Sequence, residues 1–137
     1  MLKSPEQAVK HRIETSPVLA RLVGFRVFPI IAPVSAQLPF ILYQRSTIER
    51  NQTLSVPAGV PRVSMQIDTY AATYEEAREI ADALRANLDG WTGSAYGVEV
   101  KHIALDTERD GFVQLDGSEL PPVYQINQTF DVSWQET

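Results

Sequence analysis

The stretch from Arg62 to Trp91 constrains the fold more than any other part of the chain. In RVSMQIDTY, Val63, Met65, Ile67 and Thr69 alternate with Arg62, Ser64, Gln66, Asp68 and Tyr70, the period of two expected of a half-buried strand. Thr73 then stands where a helix N-cap belongs, and Glu76, three residues on, is placed to return a hydrogen bond to the cap's own amide. Tyr74, Ala77, Ile80, Ala81, Leu84, Leu88 and Trp91 fall within a wedge of roughly 120° on a helical wheel. Glu75, Arg78, Glu79, Asp82, Arg85 and Asp89 share the other side. Arg78 with Asp82, and Asp82 with Arg85, have the spacing of exposed helical ion pairs, each contributing about 0.2–0.5 kcal/mol. Gly90 supplies the stop. The stretch predicts a strand handed directly to an amphipathic helix on a common core, with no catalytic motif in it.

The other segments fit around this unit. Ser4-Pro5-Glu6-Gln7 predicts a helix start, with Ser4 as cap, Pro5 at the first helical position and Gln7 closing a capping box. Ser16-Pro17 starts a second short helix through Leu19, Leu22 and Val23, ended by Gly24. Arg26 to Pro29 extends along the body, and Pro29, Pro33 and Pro39 break the next segment into an irregular connection. A first long strand is predicted from about Leu38 to Glu49. The polar segment RNQTLSVPAGV, between it and the strand at Arg62, is too long for a tight hairpin turn. After the long helix, Gly93, Ser94 and Gly97 mark a loop, and Val98 to Leu105 reads as a third strand whose shifted apolar parity calls for a bulge. Asp110-Gly111 and Asp116-Gly117 both suggest tight turns. In the fourth strand Tyr124, Ile126, Phe130, Val132 and Trp134 share one face, interrupted only by Gln128.

These readings give an α+β fold in one domain over residues 1–137: a mainly antiparallel four-stranded sheet covered by one long amphipathic helix, in the order α-α-β-β-α-β-β. Residues 1–24 carry the short N-terminal helices, 38–71 the first two strands, 73–90 the main helix and 98–136 the last two strands. A chain of 137 residues suits one such domain.

The chemistry-bearing residues assemble into no catalytic or metal-binding motif. Without cysteine there is no disulfide scaffold, thiolate nucleophile or Cys-ligated zinc. His11 and His102 have no partners at metal-ligand spacing. Asp106 to Gly111 opens like a calcium loop, but Gly117 stands where the bidentate glutamate is required. Asp106 and Glu108 read as solvated carboxylates, and phosphate loops and a nucleophile elbow are absent. A formal net charge of −5 and scattered arginines argue against a broad nucleic-acid surface. Asn51-Gln52-Thr53 and Asn127-Gln128-Thr129 match the glycosylation sequon without a secretory signal in Met1–Glu14 to give it meaning. No signal peptide, membrane span, cofactor or metal site is expected, and synthesis in the cytoplasm is the corresponding expectation.

The order of features resembles the tail completion proteins of long-tailed bacteriophages, also called tail terminators or head–tail joining proteins and common in prophages. The resemblance rests on VLARLVGFRVFP and the proline-rich segment after it, LPFILYQRS, QIDTYAATYEEAREIADALRANLDG and the closing YQINQTFDVSW, and it covers nearly the whole chain. It implies a non-enzymatic virion protein that forms a ring, of six copies, on the end of the tail tube. The ring would stop tail polymerisation and meet the connector on the head, with DNA sliding through an acidic lumen. The tube contact would fall on the loop Arg50 to Gly59, through Arg50, Asn51, Gln52, Thr53, Leu54 and Ser55. Subunit contacts would use sheet edges and the polar side of the helix, through Arg45, Arg62, Arg78 and Asp82. The alternatives are a neck component on the head side, and a small-molecule-binding or enzymatic α+β domain of bacterial origin that would gather His102 with Asp106 or Glu108 in a deep pocket.

Overall fold

A computed structural model describes residues 4–33, 36–49, 62–113 and 123–136. The elements in chain order are α1 (Pro5–Glu14), α2 (Pro17–Val23), β1 (Val27–Pro29), β2 (Phe40–Glu49), β3 (Arg62–Ala71), α3 (Tyr74–Leu88), β4 (Gly93–Ala95), β5 (Val98–Val113) and β6 (Val123–Glu136). They form one six-stranded sheet in the order β1-β2-β3-β6-β5-β4. β1 runs parallel to β2 and every other pairing is antiparallel.

The expected four-stranded antiparallel sheet under one helix is therefore corrected to a six-stranded mixed sheet with three helices. The two added strands, β1 and β4, are each three residues long. Alternation needs a longer run to show, and Gly93-Ser94 reads locally as a loop, so neither strand has a signal of its own. Asp110-Gly111 is likewise not a turn: Asp110 pairs with Ile126 and Gly111 with Gln125 inside the long β5–β6 hairpin. That extended backbone also removes the calcium-loop conformation. Two register shifts in β5, between Val100 and His102 and between Leu105 and Thr107, account for the irregular apolar parity. Asp116-Gly117 lies outside the described residues.

All three helices contribute to one core on one side of the sheet. Ala8, Val9 and Ile13 of α1, Leu19 and Val23 of α2, and Ile80, Leu84 and Leu88 of α3 cluster with Ile41, Val63, Met65, Ile67, Ile103, Phe130, Val132 and Trp134. α1 and α3 are further joined by a reciprocal pair of bonds, Arg12 Nε to Asn87 O and Asn87 Nδ2 to Arg12 O, both 3.3 Å. The Arg12 guanidinium also lies 5.2 Å from the centre of the Trp91 ring. The apolar stripe of α3 is narrower than its sequence pattern, because Tyr74 at its start is exposed.

The cap residues act as their sequence positions predict. Ser4, Ser16 and Thr73 accept from the amides of Gln7, Leu19 and Glu76. The return bond from Glu76 to Thr73 is not among those of the described residues, so half of the capping box forms. Gly90, at φ 81°, turns the chain out of α3. Thr73→Ala is expected to cost about 1 kcal/mol through the lost cap at Glu76 N, read as a lower urea midpoint with an unchanged slope.

Candidate assembly surfaces

With the helices gathered on one side, no described helix covers the opposite side of the sheet, and polar residues fill its centre. Cross-strand pairing places Gln44, Gln66 and Thr129 in one row and Asp68, Asn127 and Arg109 in another. Gln44 Nε2 donates to Gln66 Oε1 at 3.4 Å. Gln66 Nε2 donates to both carboxylate oxygens of Asp68, at 3.2 and 3.1 Å. With its nitrogen turned toward Asp68, the Asn127 amide donates to Oδ1 at 2.9 Å and accepts from Arg109 Nη2 at 3.1 Å. Farther along, Ser64 Oγ donates to Asp131 Oδ1 at 3.0 Å. At one end Phe28, Phe40 and Tyr70 run side by side, with ring centres 6.3 and 5.1 Å apart, and Gln125 Nε2 donates to Tyr70 Oη at 2.8 Å.

Flanking side chains leave Asp68 only 7% exposed. Burial is the largest influence on its carboxyl and pushes the pKa up, and the Gln66 bonds and the Arg109 charge offset this only in part. The folded chain thus holds this proton more tightly than the unfolded chain does. At low pH the group is neutral in both states and carries no penalty, which appears as the pH rises through the folded-state pKa. Asp68→Asn is therefore expected to raise the urea midpoint at pH 7, with the gain shrinking toward pH 3. A gain equal at both pH values contradicts this origin.

On the helix side, Arg78 ties α3 to the β5–β6 hairpin. Its Nη2 lies 3.0 Å from Glu108 Oε1, Nη1 3.5 Å from Asp110 Oδ1 and Nε 3.5 Å from Asp82 Oδ1. Tyr74 Oη donates to Asp110 at 2.9 Å, and the buried Gln128 donates to both Glu108 Oε1 (2.8 Å) and Ala81 O (3.0 Å). Arg45 pairs with Glu6 and so ties β2 to α1. For Glu6, burial raises the carboxyl pKa, but the Arg45 bond and the other hydrogen bonds outweigh it and leave the pKa lowered.

The expected subunit-contact residues thus occupy different situations. Arg45, Arg78 and Asp82 sit in ion pairs within the chain, and Arg62 opens β3 at the surface. Arg50, Asn51, Gln52, Thr53, Leu54 and Ser55 lie outside the described residues. His102 is not brought to Glu108: the two stand opposite Ser133 and Gln128, about 20 Å apart along an extended strand. His11 meets the edge of the Tyr96 ring, with centres 5.3 Å apart. Among the described residues no group of His, Cys, Asp or Glu could hold a metal ion, and no helix is long and apolar enough to cross a membrane.

The two sheet edges carry apolar side chains that the sequence pattern did not single out. Along the β1 edge Phe25, Ile30, Ile31 and Leu38 are exposed. Ile30 has φ 66°, a strained conformation for a β-branched residue. On the opposite edge, β4 covers only Val98–Val100. Gly90 N donates to Ile103 O and Leu105 N to Asp89 Oδ1, and from Asp106 to Val113 no described strand pairs with the outer side of β5. Phe112 and Val113 are exposed there, and on the neighbouring β6 the exposed Tyr124 meets the Tyr74 ring, with centres 6.2 Å apart. Phe25 and Phe112 each follow a glycine, the only local sign that they stand clear of the core.

The family model described as Tail completion protein gp17 matches residues 7–118. No curated protein matches the chain. Among solved structures, a chain from the virion of a native gene transfer agent particle superposes with a TM-score of 0.76 at 15% identity, covering 96% of this chain and 95% of that one. At that identity the likeness shows a common fold.

Proposed function

The chain belongs to the tail completion protein gp17 family, and from that premise we propose that it caps the tail tube of a phage or phage-like particle as a ring of six copies. In this reading the ring ends tube polymerisation and joins the tail to the head, without catalysis. The observation that carries it is the family match over residues 7–118; the fold shared with a gene transfer agent virion chain agrees with it.

The two ends of the sheet suit the two partners. Glu49 pairs with Arg62 at one end, and Val113 with Val123 at the other. The β2–β3 connection, with Arg50, Asn51, Gln52, Thr53, Leu54 and Ser55, is proposed to meet the tail tube protein. The β5–β6 end then faces the head connector. Arg62 and Asp82, both exposed, would reach a neighbouring copy, while Arg45 and Arg78 hold α1 and β5 in the shape that neighbour meets. DNA would pass through the lumen unbound, in keeping with the net charge of −5.

The test is to mix the purified chain with tail tubes and, separately, with tailless heads. A ring at one end of each tube, seen by negative stain together with co-sedimentation, is the expected result. Binding to heads and not to tubes would refute the tube-capping assignment.

A further inference from the structure

We propose that neighbouring copies meet edge to edge, with Phe112 of one subunit packed against Phe25 of the next. This rests on the ring reading and names its contact surface. A closed ring of identical subunits needs two different patches on each, one meeting the other. The described residues offer such a pair on opposite edges of one sheet. Phe25 is 77% exposed and Phe112 66%, far more than a large aromatic side chain needs to be when it has a core to join.

The register sets the two rings at one level. Phe40, Tyr70, Gln125 and Gly111 form a row across β2, β3, β6 and β5, and the next row contains Ala71, Tyr124 and Phe112. Val27 pairs with Ile41, and Phe25, in the turn two residues before it, comes toward the level of Pro39 when that register is continued back. About 19 Å of sheet separates the two edges, from four strand spacings. Placing copies side by side, with no slip along the strands, brings Phe112 to Phe25.

Side chains, not an added strand, make the β1 half of this contact. Ile41 N donates to Arg26 O, and Ile30 N to Tyr43 O, which turns the backbone groups of residues 26, 28 and 30 toward β2 and those of 27, 29 and 31 outward. The outward Val27 N already donates to Phe25 O, Ile31 N donates to Pro29 O, and Pro29 has no N–H. An edge without free donors resists strand addition. Apolar contact remains open to it.

The absence of cysteine makes the test direct. Phe25→Cys and Phe112→Cys are introduced singly and together, and the proteins are treated with a short bismaleimide under conditions where light scattering shows rings. The double variant is expected to give a ladder of covalent multimers, mixed single variants to give dimers only, and each single variant alone to stay monomeric on a denaturing gel. Phe112→Arg is expected to lower the ring population more than tenfold with unchanged circular dichroism. Dimers from one single variant alone would mean a two-fold contact and overturn the proposal. Rings without cross-links in the double variant would overturn this surface and leave the ring reading standing. A cysteine-free chain that forms no ring, with or without tubes, would sink both.

Discussion

A chain ending at Thr129 is expected to show no cooperative unfolding transition. β6 is an inner strand, paired with β3 on one side and β5 on the other, so losing its second half opens the middle of the sheet. Phe130, Val132 and Trp134 are each at most 2% exposed. Their removal strips Met65, Val63 and Val100 of the residues directly opposite them. A buried Phe or Trp contributes on the order of 3–5 kcal/mol when truncated to Ala, and a domain's whole stability is about 5–15 kcal/mol. Two such losses, together with the broken ladder, exceed what the rest can supply. Thermal melting followed by circular dichroism decides this, and a sigmoidal melt near the full-length temperature would contradict it.

The opposite outcome is expected for deletion of Asn51–Ala58: folding retained, tube capping abolished. Among the described residues the β2–β3 ladder runs to Glu49 and Arg62, and Arg50, Gly59, Val60 and Pro61 remain in the sequence to join them. Four-residue loops are common hairpin connections. A shorter loop is also slightly favourable in closure entropy. The deletion protein should therefore melt within a few degrees of the full-length chain. If it still co-sediments with tubes and limits their length, the tube contact lies elsewhere.

How far the sequence discloses this molecule depends on the length of each signal. The strand–helix unit from Arg62 to Leu88, the caps at Ser4, Ser16 and Thr73, and β6 were all legible, because each rests on a long alternation, a helical stripe or a cap chemistry confined to a few residues. β1 and β4 were not. Their pairing is decided by where β2 and β5 stand in space, and a three-residue strand has no periodicity to read. The same holds for the surfaces. Arg78 and Asp82 were legible as a helical pair, but Glu108 and Asp110 reach Arg78 only through the long β5–β6 hairpin, which the expected turn at Asp110-Gly111 would have cut short. Phe25 and Phe112 belong to no apolar alternation or stripe that the sequence shows. Only the cross-strand register brings them level on opposite edges.

Tail length in a particle-producing strain is the most direct measure of the completion role. Deleting the coding sequence for this chain is expected to give headless tails of uneven, extended length beside DNA-filled heads, with normal particles restored when the chain is supplied in trans. Tails of uniform length still joined to heads in the deletion strain would contradict the account.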